Sequence, residues 1–398
     1  MQYVPDVYMR NQAPPALKNL LNAFPQQSPN GIDYGTQQAP SLAQFLQGYS
    51  APGSIDSTSA RLDQVFTPRF SSFFRFSYNP SSLTSRVLSA LTSSEINSTS
   101  YTFGSTYAIT DKVTDEFRIG YTRGNSITAS NLDDFGNATP ISLGSALNVL
   151  PDMGGDPEVF LTLSGVGHTS ISTLNTQNIG RQWNVTNSIA LNHNHHQLKF
   201  GVDYRRIETT IVNPTTESGA FYSSAQQVLT NASYYSYIER LLNSASIYNQ
   251  FAAFGQDEWK LTPRLSLSLG LRWEVAPPPY SGNSTKPYVV LGDLTQPASL
   301  TISAPGASLW KTAWWNFAPR LGVAWQIRNA PGAETVLRAG GGLFFDTNNE
   351  AADLAFGTLG YQQGRENALR PNGGCQFLQG RILEDAARVG LRLVQQSE

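Results

Sequence analysis

The chain is poor in charge. Lys, Arg, Asp and Glu make up 14% of its 398 residues, where a soluble globular domain carries about 25%. It has a single cysteine, Cys375, which excludes an intrachain disulfide and a Cys-rich zinc site. It has no run of about 18 apolar residues, which excludes a membrane-spanning helix. Met1–Asn30 lacks a basic stretch followed by an apolar core, so it is not a secretory signal. An exported form is therefore expected to be a piece of a longer chain. With 27 basic and 29 acidic side chains the formal charge is −2, and there is no basic footprint for nucleic acid.

Aromatic residues and period-2 alternation fill the space left by charge. The 17 Tyr, 20 Phe and 7 Trp are too many for a disordered chain. Leu265, Leu267, Leu269, Leu271 and Trp273 alternate with Ser266, Ser268, Gly270, Arg272 and Glu274, the pattern of a strand that is apolar on one face. Thr262-Pro263-Arg264 suits a tight turn, because proline presets φ, so this strand pairs with an aromatic-rich one over Tyr248–Leu261. The same unit recurs at Trp183–Leu191 with Leu198–Tyr204, and at Phe317–Ile327 with Leu337–Phe345. Weaker copies lie at about 61–78 and 100–122. Asn187 is a misfit on an otherwise apolar face.

The count is about five hairpins and ten strands. Their connections alternate between a few residues and long polar stretches near 79–99, 123–180, 208–247 and 275–315. Long structureless loops argue against a compact soluble domain. Short turns alternating with long loops are the organisation of an outer-membrane barrel, with turns periplasmic and loops external. From Leu265 to Trp273 the strand rises about 26 Å, which when tilted approaches the height of the apolar band. Trp259, Trp273 and Trp183 fall where aromatic girdles sit. The expected fold class is all-β, an antiparallel transmembrane β-barrel of outer-membrane type. Residues 1–60 read as a polar Pro/Gln-rich loop region, with a short helix over Ser41–Tyr49. Residues 61–350 read as a partial barrel, and 351–398 as an atypical tail that is truncated or helical (Glu384–Leu393).

Phe254-Gly255-Gln256-Asp257-Glu258-Trp259, the turn at Thr262-Pro263-Arg264, and Gly270-Leu271-Arg272-Trp273-Glu274 resemble the barrel of TonB-dependent outer-membrane receptors. Asn316-Phe317-Ala318-Pro319-Arg320-Leu321-Gly322 is similar to the strand that follows in that family, and Val336–Phe345 to the next. Leu198–Arg205 resembles an earlier one. The style is that of the Oar-like branch. The resemblance covers about residues 60–350 and does not extend to a plug domain, a TonB box or an aromatic-ended final strand. It implies a fragment of a receptor in the bacterial cell outer membrane that takes up a scarce solute. The partners it implies are outer-membrane lipid, an unidentified solute, and the TonB complex through a plug outside this sequence.

Candidate binding residues are the charged groups on the polar strand faces: Asp203, Arg205, Arg272, Glu274, Arg320 and Arg338. They read first as ion pairs inside the lumen, and otherwise as an electrostatic lining for a plug or an anionic solute. His193, His195 and His196 share one turn, but no carboxylate or cysteine lies near in sequence, and a solvated turn is the better reading than a metal site. No Gly-x-Ser-x-Gly element is present, so no catalytic residue is named and no cofactor is expected. A passive surface-binding or adhesion barrel is the alternative, and a barrel-embedded hydrolase is less favoured.

Overall fold

Six hairpins organise the molecule, five of them turning at one end of the main sheet and one at the other. The computed structural model describes residues 2–143, 155–163, 166–212, 216–241, 243–283, 286–287, 289–345, 362–366 and 375–376. For 155–163, 216–218, 236–241, 362–366 and 375–376 only the backbone is described. The N-terminal elements are β1 (Gln2–Pro5), α1 (Val7–Gln12), α2 (Pro15–Asn22) and β2 (Leu42–Phe45). The main sheet then uses β3 (Gly53–Ile55), β4 (Thr58–Thr67), β5 (Phe70–Val87), β6 (Ala90–Thr110) and β7 (Val113–Leu132). After β8 (Gly155–Leu163) and β9 (Gly167–Ser172) come β10 (Asn175–His193) and β11 (His196–Val212). The next connection carries β12 (Thr216–Tyr222), β13 (Ala232–Ser233) and β14 (Tyr235–Leu241). It leads to β15 (Ser244–Thr262) and β16 (Leu265–Val275). Short strands β17 (Tyr280–Ser281), β18 (Val290–Leu291) and β19 (Thr301–Ile302) precede β20 (Asn316–Arg328) and β21 (Thr335–Gly342).

The main sheet is a meander of antiparallel neighbours, β3-β5-β6-β7-β10-β11-β15-β16-β20-β21, with β4 on β5 and β17 on β15. It has two free edges and is not closed. The chain is therefore an all-β, outer-membrane type of sheet, and among the described residues no helix is long and apolar enough to cross a membrane. Three of the six hairpin turns share one device. Thr67, Thr110 and Thr262 each accept, through Oγ1, the amide N–H of Arg69, Lys112 or Arg264 at 3.2 Å, and each sits beside a register shift. A hydroxyl that satisfies the turn N–H fixes the loop length, and the bulge adds the local twist that closes it.

Three expectations need correction. Residues 1–60 are not a loop region, because Gln2–Pro5, Val7–Gln12, Pro15–Asn22 and Leu42–Phe45 form strands and helices around a buried core. The stretch 79–99 is not a loop, because β5 and β6 run on in register to Val87↔Ala90. They close through Leu88-Ser89, with Leu88 at φ 54°. Ser41–Tyr49 is not helical either. Leu42–Phe45 pairs antiparallel with Gln2–Pro5 and all four of its residues are buried, which a single helical stripe cannot achieve. Within 351–398 the structure shows two strands, Gln362–Glu366 on β14 and Cys375–Gln376 on β13; Glu384–Leu393 lies outside the described residues.

The buried core is not in the main sheet. Val4, Met9, Leu20, Leu21, Phe24 and Leu42 cluster with Leu88 at the β5–β6 tip, Ile171 of β9, Tyr222 of β12 and Val228. All of these lie at the long-loop end. Asp6 caps α1 by accepting from the Met9 N–H at 2.6 Å, and its second oxygen accepts from Ser41 N–H at 2.6 Å. Arg10 donates to the carbonyls of Pro5, Leu21, Phe24 and Pro25. A planar guanidinium satisfies several otherwise stranded acceptors at once. Arg86 donates through Nη1 and Nη2 to the two carboxylate oxygens of Asp133 at 2.6 and 2.5 Å and lies over the Phe135 ring, which ties the β5–β6 hairpin to the chain leaving β7. The main sheet, by contrast, leaves Leu269, Leu271, Phe200 and Leu321 between 40% and 53% exposed. Water would penalise such a face; hydrocarbon accommodates it.

Candidate functional site

Register decides which residues share a face. Side chains directly opposite in adjacent strands lie on the same side of a sheet. The apolar face carries an inner row of Trp259 and Trp325 near the short turns, where Trp259 pairs with Leu267 and Trp325 with Leu265 and Leu337. A second row lies toward the long loops. It runs Phe317↔Trp273, Phe251↔Tyr204, and Trp183↔Tyr121↔Tyr101, with Tyr121 and Trp183 ring centroids 4.7 Å apart. Eight residues separate the rows on β20, about 26 Å of strand, which matches a tilted crossing of the apolar band.

Asn187 is satisfied on that face. Its amide donates to Asp115 Oδ1 at 2.8 Å across the β7–β10 ladder. A second polar pair joins His196 Nδ1 to Asp257 Oδ2 at 2.7 Å, and the His196 ring stacks on Trp259 at 5.2 Å and 18°. The histidine turn is thus a two-residue turn, Asn194-His195, with His193 opposite His196. Among the described residues no group of three His, Cys, Asp or Glu side chains converges on a metal position.

Charge concentrates on the other face. In register, Asp203 of β11 and Glu274 of β16 flank Ala252 of β15, so their backbones stand about 9.6 Å apart. Ala252 is buried and small, which leaves room for Arg272 to reach across it. The Arg272 guanidinium bonds Glu274 through Nε and lies 3.7 Å from Asp203 Oδ2. Arg205 Nη2 sits 3.1 Å from the same oxygen, and Asn184 Nδ2 donates to Asp203 Oδ1 at 2.7 Å. Both carboxylates retain only 14% of side-chain exposure. The cluster is charge-balanced and closely filled. With Gln250 and Phe251 it lines a half-open pocket of about 20 Å³, room for a water and not for a solute.

Four of the six sequence candidates therefore converge, and two do not. Arg320 lies over the Phe344 ring at 4.7 Å, and Arg338 lies opposite Ala324. Arg75 and Arg118 occupy the same polar face, opposite Thr102 and Gly104. All four of these arginines are exposed and form no ion pair among the described residues. Asn184 and Gln250 escaped notice as site residues because nothing local marks them beyond their parity in the strand. Two aromatics also point to this face. Phe73 and Phe254 lie against Gly104 and Gly201, where an added Cβ would meet their rings at 2.3 and 2.6 Å.

An antiparallel meander with a lipid-compatible face, two aromatic rows and an ion-paired opposite face defines an outer-membrane β-barrel. The chain belongs to the outer membrane beta-barrel domain family, which matches residues 2–376, and it is accordingly a protein of the bacterial outer membrane. Solved structures similar to it include the copper transporter OprC, at 14% identity and TM-score 0.43, over 73% of this chain and 36% of that one. The outer membrane transporter YddB from Escherichia coli matches at 9% identity and TM-score 0.40, over 70% and 38%. The toluene transporter TbuX from Ralstonia pickettii matches at 10% and 0.22, over 75% and 78%. The chain thus spans 36% and 38% of the length of the first two. No curated protein matches it by sequence.

Proposed function

We propose that the chain is part of a TonB-dependent receptor of the Oar-like branch, one that takes up a scarce anionic solute across the outer membrane. The polar face lines the lumen. The observation that carries the reading is the set of exposed, unpaired arginines on that face, Arg75, Arg118, Arg320 and Arg338, beside a balanced cluster at Asp203, Arg205, Arg272 and Glu274. A ring of cationic side chains favours anion passage, and the balanced cluster stiffens the wall without adding net charge. The experiment is whole-cell uptake of labelled solutes by the receptor carrying Arg75→Gln, Arg118→Gln and Arg338→Gln together. Uptake of an anion should fall while the amount of assembled barrel stays constant, and uptake by the parent should stop when the inner-membrane proton gradient is dissipated. Surface binding with no uptake in the parent would overturn the reading in favour of a passive adhesion barrel. Ester hydrolysis abolished by one Ser substitution would overturn it in favour of a hydrolase.

A further inference from the structure

A second group of arginines lies on the opposite, apolar face. Arg181 of β10 stands directly opposite Arg123 of β7 on one side and Glu208 of β11 on the other. Arg206 of β11 stands opposite Trp183. Parity places all four charged groups on the face that carries Tyr121, Trp183 and Tyr204; Glu208 lies two pleat periods beyond Tyr204, and Arg123, Arg181 and Arg206 lie one period beyond Tyr121, Trp183 and Tyr204 on their own strands. That is about 7 Å further along the strand, the level of lipid headgroups.

The group is not electrically balanced. Arg181 Nη1 lies 2.8 Å from Glu208 Oε1, and Arg206 Nη1 lies 3.9 Å from Glu208 Oε2, so two guanidiniums share one carboxylate. Arg123 is exposed and has no ion pair among the described residues. Two arginines placed directly opposite in a ladder repel each other. Three cations against one anion leave guanidinium donors without a carboxylate, and Arg presents its donors in a fork that matches phosphate oxygens.

We propose that Arg123, Arg181 and Arg206 form a binding site for the phosphate of an anionic lipid headgroup in the outer leaflet, with Tyr121 and Trp183 beneath it against the lipid chains. The site faces the membrane and not the lumen, so it is independent of the transported solute. Depth favours lipid phosphate over free phosphate: the aromatic platform under the arginines offers an apolar surface that only the lipid uses.

The test is retention of phospholipid by the receptor extracted from outer membranes in neutral detergent, then titrated with micelles containing phosphatidylglycerol or phosphatidylcholine. The parent should prefer phosphatidylglycerol. Each arginine removed should weaken that preference about fivefold, and Arg123→Gln/Arg181→Gln/Arg206→Gln about a hundredfold, while Glu208→Gln should strengthen it. Arg338→Gln, on the other face, should leave it unchanged. If the triple variant does not assemble, Arg123→Gln and Glu208→Gln decide, since one must weaken and the other strengthen binding. Equal binding of both lipids by the parent overturns the proposal. So does an unchanged preference in the arginine variants, or displacement of the lipid by millimolar inorganic phosphate.

Discussion

Three arginine insertions within two neighbouring strands test the face assignment. Leu321 lies four residues from Phe317 and four from Trp325, about 13 Å from either aromatic row. It is 53% exposed and its ladder partners are Leu269 and Gly341, so an arginine there meets hydrocarbon and no counter-ion. The cost is about 2–4 kcal/mol, roughly thirtyfold to nearly a thousandfold in the assembled fraction. Leu269 is on the same face but stands opposite Asp257. The Oδ1 of Asp257 is buried with no partner among the described residues. Leu269→Arg would meet it, and a charge-assisted hydrogen bond recovers about 1.5–3 kcal/mol. Ser268 is one residue away on the polar face and donates to Glu258 Oε1 at 2.6 Å. Ser268→Arg trades that bond for an exposed ion pair worth about 0–1 kcal/mol, so its net effect is small. The assay is urea-titrated folding into lipid vesicles, followed by tryptophan fluorescence and by the heat-modifiable band on gels. The expected order of damage is Leu321→Arg, then Leu269→Arg, then Ser268→Arg. If Ser268→Arg is the most damaging, the two faces are exchanged and the barrel argument fails; if Leu269→Arg equals Leu321→Arg, Asp257 does not lie where its register places it.

Arg272→Leu should reduce assembly by less than Leu321→Arg, since Asp203 keeps Arg205 and Asn184, but it should alter uptake; the comparison uses the same gels and a whole-cell transport assay. Asn187→Val alone should destabilise the barrel by about 1–3 kcal/mol because Asp115 loses its donor on the lipid face, and Asn187→Val with Asp115→Val should recover most of that loss in the vesicle titration. An epitope tag between Asp293 and Gln296 should be reached by antibody on intact cells, and one at His195 should not; the reverse labelling would invert the topology. Burial raises the Asp6 carboxyl above its ordinary value of 3.8, so its stabilising effect is complete below that pH and is lost as the pH rises through the raised value. Limited proteolysis of the N-terminal segment should therefore accelerate with rising pH from about 4 upward, and Asp6→Asn should abolish the dependence.

Strand existence and strand faces were legible in the sequence because a period-2 pattern is a local property. Leu265–Trp273 and its partners need no distant residue to reveal which side is apolar, and tight turns are marked by Thr-Pro-Arg at 262–264. The same pattern carried the outer-membrane fold class, since only lipid explains an exposed leucine row next to a serine row. Pairing across strands was another matter. Asn187 looked out of place until the β7–β10 register put Asp115 beside it, 72 residues away. The six charged candidates looked alike in sequence; the buried Ala252 between Asp203 and Glu274 is what lets Arg272 join four of them, while Arg320 and Arg338 stay apart. The N-terminal segment shows the largest gap between reading and structure. Its local composition is that of a loop, and its helices and β2 exist because Leu88, Ile171 and Tyr222, all distant in sequence, complete a core around them. Alternation belongs to neighbouring residues and is written along the chain; burial and ion pairing belong to residues that meet only when the strands are laid side by side.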